Sequence, residues 1–374
     1  MASTQQLRRL WFQVHKWIGL LLAILVIPIS LTGAALVWHD ALDGALNPER
    51  RAEGRPALTP SEYGERARAL AAPGEKLHSL TFPDGEGAVV AMLVRPPAPG
   101  GGRPVRTILH LAPDDGRLLD RSASNEGAVH VMHVLHGSLM IPGLGRQIVG
   151  WIGVAMLLSS LTGLWLWWPL KGGIRRGLRW NRQPTTSGRL HYQGGFWIAI
   201  PLAVLSFTGA WISFPAFFAQ LSGDPPPPPM AERVRRMAVA PLVETRLDPD
   251  LAIALASSQA QGSLATVAWP TEKDSKWKLG YRGPDGMAEV GVDDEGGAVT
   301  PPGPPRPETT ARLMRRIHDG TGMGWLWQFI IFLGGIVPAV LAVTGVLMWL
   351  DIRRRRAATE ARLASAGKGA LETV

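Results

Sequence analysis

Residues 15–33, HKWIGLLLAILVIPISLTG, and residues 191–209, HYQGGFWIAIPLAVLSFTG, decide how the chain is read. Each begins on histidine, closes on Thr-Gly and carries an apolar run between. Four such runs, 17–38, 148–168, 196–218 and 325–350, contain no Lys, Arg, Asp or Glu. Each is long enough to cross a hydrocarbon core of about 30 Å, which takes about 20 helical residues. In lipid a lone segment satisfies its backbone only as a helix, so Pro28, Pro201 and Pro338 read as kinks rather than breaks. The first run is too long for the apolar region of a signal peptide, and it is expected to remain as an anchor.

The averages of the 374 residues (46% apolar, 18% charged, net charge +9) would suit a soluble protein, and the bunching of the apolar residues overrides them. Lys and Arg crowd into residues 1–16, 171–191 and 351–374, which hold 15 of them against the acids Asp351, Glu360 and Glu372. The positive-inside rule then puts both termini and the middle loop in the cytoplasm and the two long segments, about 40–146 and 219–317, on the far side. The basic balance thus reports topology and anionic lipid and excludes nucleic acid as the partner. With no cysteine, iron–sulfur clusters, thiolate zinc sites, disulfides and thioether-linked haem are all excluded.

The chain contains an internal duplication. His15 to Gly33 and His191 to Gly209 are both 18 residues, while His136 to Gly163 and His318 to Gly345 are both 27. The outer segments repeat too. Thr59-Pro60 and Asp248-Pro249 each signal a helix start, with an N-cap residue before proline. Strand-like runs follow at 77–83, 89–95 and 107–111, matched by 263–270, 276–282 and 288–292. Each outer segment is expected to be a small α+β module of one helix and three antiparallel strands, with linkers at the proline runs 225–229 and 301–307. The fold class is therefore an integral membrane α-helical protein of four transmembrane helices in a two-fold internal repeat, carrying two α+β modules.

The duplication pairs His15 with His191 and His136 with His318 and leaves the other five histidines single: His39 aligns near Pro215, and His130 and His133 align with Arg312 and Arg315. In a two-fold bundle, paired imidazoles face one axis from opposite sides at two heights, as two bis-histidine b-type haems require. A second reading places these histidines at span ends as amphipathic interfacial residues, although it leaves the identical spacings unexplained. The run His130-x-x-His133-x-x-His136 could hold a first-row metal, with His136 favoured as a haem ligand and His133 as a substrate-side helper. Arg312, Arg315 and Arg316 are candidates for haem propionates or an anionic substrate, or for ordinary interfacial snorkelling. The Thr-Gly pairs are expected to serve helix packing. No dinucleotide or P-loop motif is present, so electrons have to come from a membrane quinol or a redox protein.

The stretches VHKWIGLLLAILVIPISLTGAALVWHD and VLHGSLMIPGLGRQIVGWIGVAMLLSSLTGLWLWWP, with the outer modules, resemble the PepSY-associated transmembrane proteins over nearly the whole chain. The resemblance implies an inner-membrane protein of Gram-negative bacteria with two periplasmic PepSY-like modules. It is similar to FoxB-type reductases, which hold two haem b and reduce siderophore-bound Fe(III) in the periplasm. The matching ligand positions are His15 and His191 on the cytoplasmic side, and His136 and His318 on the periplasmic side. On that pattern residues 1–39 are the N-terminus and first span, 40–129 the first module, 130–170 a His-containing pre-helix and second span, and 171–191 the basic loop. Residues 192–218 are the third span, 219–310 the linkers and second module, 311–350 the second pre-helix and fourth span, and 351–374 the basic tail. Reduction suits such a protein because hard-oxygen chelators hold Fe(III) far more tightly than Fe(II). A non-enzymatic transport accessory or sensor, and a di-haem carrier serving another periplasmic acceptor, are the alternatives.

Overall fold

The computed structural model describes residues 4–95, 104–169, 173–237, 239–284, 286–303 and 308–371. The later part of the expected 301–307 linker, positions 171–172 of the basic loop and the last three residues of the tail lie outside the described residues. In chain order the helices are α1 Thr4–Leu36, α2 His39–Leu46, α3 Pro60–Ala69, α4 Ala128–Ser138, α5 Gly145–Trp167 and α6 Gly173–Gly177. They continue with α7 Thr186–Ser213, α8 Pro215–Ser222, α9 Met230–Met237, α10 Pro249–Ala256, α11 Thr310–Asp319 and α12 Gly324–Leu371. The chain divides into two compact units. One comprises Met1–His39, Met132–Pro227 and Glu308–Val374; the other comprises Asp40–Val131 and Pro228–Pro307.

The first unit is built on α1, α5, α7 and α12, the four helices long and apolar enough to cross a membrane. They pack as a closed ring in which α1 meets α5 and α12, and α7 meets the same two. Helices α1, α7 and α12 each run through a proline, so Pro28, Pro201 and Pro338 do not break them. The third span is shorter than the apolar run implied. Helix α7 stops at Ser213 because Phe214 (φ −114°, ψ 57°) precedes Pro215, whose ring disfavours helical geometry in the residue before it, and α8 restarts on that proline. The first span likewise ends at Leu36, short of Trp38. At the C-terminal end of α5, Arg8 hydrogen-bonds the carbonyls of Leu166 and Trp168, and Arg182 that of Trp167 at 2.6 Å. Basic residues therefore satisfy the carbonyls that a helix end leaves open.

The second unit departs from the expectation of two three-stranded modules. Strands β1 Lys76–Thr81, β2 Val89–Val94, β3 Arg106–Leu111, β4 Leu118–Ala123, β5 Ser263–Ala268, β6 Lys276–Gly283, β7 Gly286–Asp293 and β8 Val299–Thr300 form one sheet. Its order is β4-β3-β2-β1-β5-β6-β7-β8, antiparallel throughout. β1 and β5 would each be an open edge if their half stood alone, and pairing Leu80 with Val267 removes both edges. Each carries a register shift, at His78 and at Ala265, and those carbonyls accept from Trp269 N–H (2.9 Å) and Phe82 N–H (2.8 Å) across the junction. Helices α3 and α10 begin as the Thr-Pro and Asp-Pro signals predicted, with Thr59 and Glu62 forming a capping box and Asp248 accepting from Leu251 N–H at 2.7 Å. Their inner faces bury Tyr63, Ala67, Ala252 and Ala256 against Leu80, Leu93, Leu109, Trp277 and Val292 of the sheet and Trp269 just past β5.

Candidate functional site

The 18-residue spacing from His15 to Gly33 equals five turns at 3.6 residues each, so both positions lie on one face of α1. The same holds for His191 and Gly209 on α7. The structure uses that face twice in each helix. The ring of His15 stands opposite that of His191, with centroids 6.3 Å apart and planes at 83°. The ring of His136, from α4, stands opposite that of His318, from α11, at 6.0 Å and 42°. Both sequence-derived pairs are therefore brought together. His136 lies against Gly33, 18 residues along α1 from His15, so the two pairs are separated by about 27 Å along the helix at about 1.5 Å rise per residue, close to the thickness of a hydrocarbon core.

Each ring is seated on the glycine of a Thr-Gly pair from a different span. A Cβ at Gly33 would come within 2.7 Å of His136, at Gly163 within 3.0 Å of His15, at Gly209 within 3.1 Å of His318 and at Gly345 within 3.3 Å of His191. These glycines do more than let helices approach; their missing side chain is the space the imidazole fills. The threonines complete the seat. Nδ1 of His15 lies 3.1 Å from the Ser159 carbonyl and 3.2 Å from the Thr162 hydroxyl. Nδ1 of His318 lies 3.1 Å from the Leu205 carbonyl and 3.0 Å from the Thr208 hydroxyl. Nδ1 of His136 meets the Ile29 carbonyl at 2.9 Å, and that of His191 the Thr344 hydroxyl at 3.1 Å. Because Thr162, Thr208 and Thr344 donate their own protons to carbonyls one turn back in their helices, their oxygens are left to accept. Carbonyls only accept, so Nδ1 donates and the lone pair of each ring sits on Nε2. A metal-binding histidine is normally held in this way, its second nitrogen anchored to backbone or hydroxyl oxygen.

The spacing within each pair also suits two imidazoles that share one metal ion. Two imidazoles on opposite sides of one metal, each with a metal–nitrogen distance of about 2.0 Å and a centroid about 1.15 Å further out, have centroids about 6.3 Å apart. Among the described residues no group of three or more His, Asp or Glu side chains is placed to hold a metal ion. Each pair offers two imidazole donors, and the remaining donors that six-coordinate iron needs are ones a porphyrin would supply. The residues present fit a bis-histidine b-type haem at both levels.

The run His130-x-x-His133-x-x-His136 does not converge on one point. His136 joins His318, whereas His133 faces His39 with centroids 5.9 Å apart. Arg316 pairs with Glu308 at 2.6 Å. Arg312 and Arg315 line a cavity of about 340 Å³ together with Arg146, Trp211, Ile212 and Asp224. Sequence reasoning missed Arg146, the seating glycines and the His39–His133 contact. The signal for the seats was the five-turn spacing itself; none in the sequence pointed to the other two.

A family model described as the PepSY-associated TM region matches residues 12–351. No curated protein matches the chain.

Proposed function

The chain belongs to the PepSY-associated TM family and is a multi-pass membrane protein, and from that premise we propose that it is a di-haem b transmembrane oxidoreductase that reduces Fe(III)-siderophore and releases Fe(II). The observation that carries this reading is the pair of opposed, Nδ1-anchored imidazoles at each of two levels. His15 and His191 would hold one haem and His136 and His318 the other. A b-type haem, when bound, supplies reversible one-electron chemistry. The chain's own contribution is to fix four neutral imidazoles with Nε2 free, to space the two levels across the core, and to keep the seats open through Gly33, Gly163, Gly209 and Gly345.

We place the protein in the bacterial inner membrane with both termini cytoplasmic and the two long segments periplasmic, on the distribution of Lys and Arg. The two halves are read as a pseudo-two-fold repeat, which the matched seats support. Electrons come from a membrane quinol or a redox protein, and each Fe(III) centre takes one. The cavity bearing Arg312 and Arg315, which lie six and three residues before His318, suits an anionic group of the substrate or a haem propionate.

Stopped-flow mixing of dithionite-reduced protein with ferric hydroxamate and ferric catecholate chelates tests the reading. Reoxidation of the haem spectrum with one Fe(II) formed per electron is expected. A haem-loaded protein that is not reoxidised by any ferric chelate would instead be a carrier for another periplasmic acceptor.

A further inference from the structure

His39 and His133 are left over from both haem pairs, yet their rings face each other with centroids 5.9 Å apart and planes at 61°. Both side chains are exposed, whereas the four rings of the axial pairs are half-buried. We propose that His39 and His133 form a separate binding site for a divalent first-row cation, open to solvent beside the His136–His318 level.

Two observations converge on this site. Two imidazoles sharing one cation at about 2.0 Å have centroids between about 4.5 Å when adjacent and about 6.3 Å when opposed, and 5.9 Å lies inside that range. His133 precedes His136 by three residues on α4, so the two lie on one side of that helix and the site adjoins the outer axial pair. Imidazole suits Fe, Co, Ni, Cu and Zn, and a two-imidazole site completed by water binds such ions reversibly. Resting on the proposed reaction, the physiological cation is Fe(II), captured where it leaves a reduced chelate.

The test uses the full chain in detergent, prepared without a polyhistidine tag and titrated with Ni(II) by calorimetry. One equivalent is expected to bind, and either His39→Ala or His133→Ala should weaken it by roughly ten-fold or more, since losing a direct ligand costs at least what losing a supporting contact does. The double variant, which keeps neither donor, should bind no better than the single ones and should not take up the equivalent under the same conditions. His130→Ala should leave the affinity unchanged. The haem spectrum and helical content of each variant separate this site from the axial pairs. Retention of the Ni(II) equivalent in the double variant overturns the proposal, as does loss of haem in His39→Ala or His133→Ala, which would assign the pair to the cofactor. Anaerobic Fe(II) should displace the bound Ni(II) when added in excess. Failure to do so refutes Fe(II) as the cation without touching the reductase reading, which the chelate reoxidation measures separately.

Discussion

Substituting Gly33 by alanine puts one methyl group where the His136 ring now lies. The added Cβ would meet Cε1 at 2.7 Å and Nδ1 at 3.0 Å, against an ordinary contact of about 3.7 Å. The ring has to retreat by about 1 Å, which stretches its 2.9 Å hydrogen bond to the Ile29 carbonyl beyond bonding range. Overpacking costs about 1–3 kcal/mol and the lost hydrogen bond about 1 kcal/mol more. Alanine's better helix propensity returns about 1 kcal/mol, so the net destabilisation is about 1–3 kcal/mol. At Gly345 the same methyl meets His191 at 3.3 Å, a few tenths of an ångström inside normal contact, and the propensity gain offsets it. Gly163 (3.0 Å) and Gly209 (3.1 Å) fall between. Haem per chain and thermal melting, followed by visible absorption and circular dichroism in detergent, should therefore worsen in the order Gly345, Gly209, Gly163, Gly33. A Gly33→Ala protein with full haem and an unchanged melting temperature, or a Gly345→Ala protein more damaged than Gly33→Ala, refutes the claim that these glycines are imidazole seats.

Three further outcomes follow from the sheet unit. Asp294 is buried and accepts from Trp277 Nε1–H at 2.9 Å and from the Arg246 and Leu247 N–H groups at 3.0 and 3.1 Å, so Asp294→Ala, which orphans three donors, should cost about 3 kcal/mol or more by denaturant unfolding. Thr59→Ala removes the capping box of α3 and should cost about 1 kcal/mol in the same assay. Burial pushes the Glu75 carboxyl up, but the Thr107 hydroxyl, the Ala72 N–H and Arg121 outweigh it and hold it below its ordinary value of 4.5. A lowered folded-state value contributes stability that is present above that ordinary value and lost as pH falls through the folded one. The melting-temperature gap between wild type and Glu75→Gln should accordingly be full well above the ordinary value of 4.5 and close as the pH is taken below it. A gap that widens in acid would contradict the assignment.

The membrane helices were legible because lipid leaves an apolar run only one backbone solution, and the His pairs because the duplication supplied an internal alignment. Ends were less legible: Pro215 causes the break at Phe214, but Pro28, Pro201 and Pro338 sit inside spans without ending them, so a proline alone does not mark where a span stops. The six central strands appeared near their observed limits, but β4 (LLDRSA) lacks apolar alternation and β8 has two residues, so neither carries a strand signature. Pairing of β1 with β5 joins residues almost 190 apart, and no local pattern encodes which edge will meet which. The Thr-Gly pairs were visible as motifs and understood as packing elements; their role as seats needed the contact between different helices, although the five-turn spacing on α1 and α7 already placed seat and ligand on one face. His39 carried no signal at all, because its partner lies 94 residues away in the sequence.

The central claim is that the chain holds two haems between four named histidines, and pyridine haemochrome quantification against protein concentration tests it most directly. Two haem b per chain are expected, one per chain in His15→Ala or His191→Ala, one per chain in His136→Ala or His318→Ala, and none when one histidine from each pair is replaced. A protein from haem-replete cells that is colourless, or that keeps both haems in these variants, would contradict it.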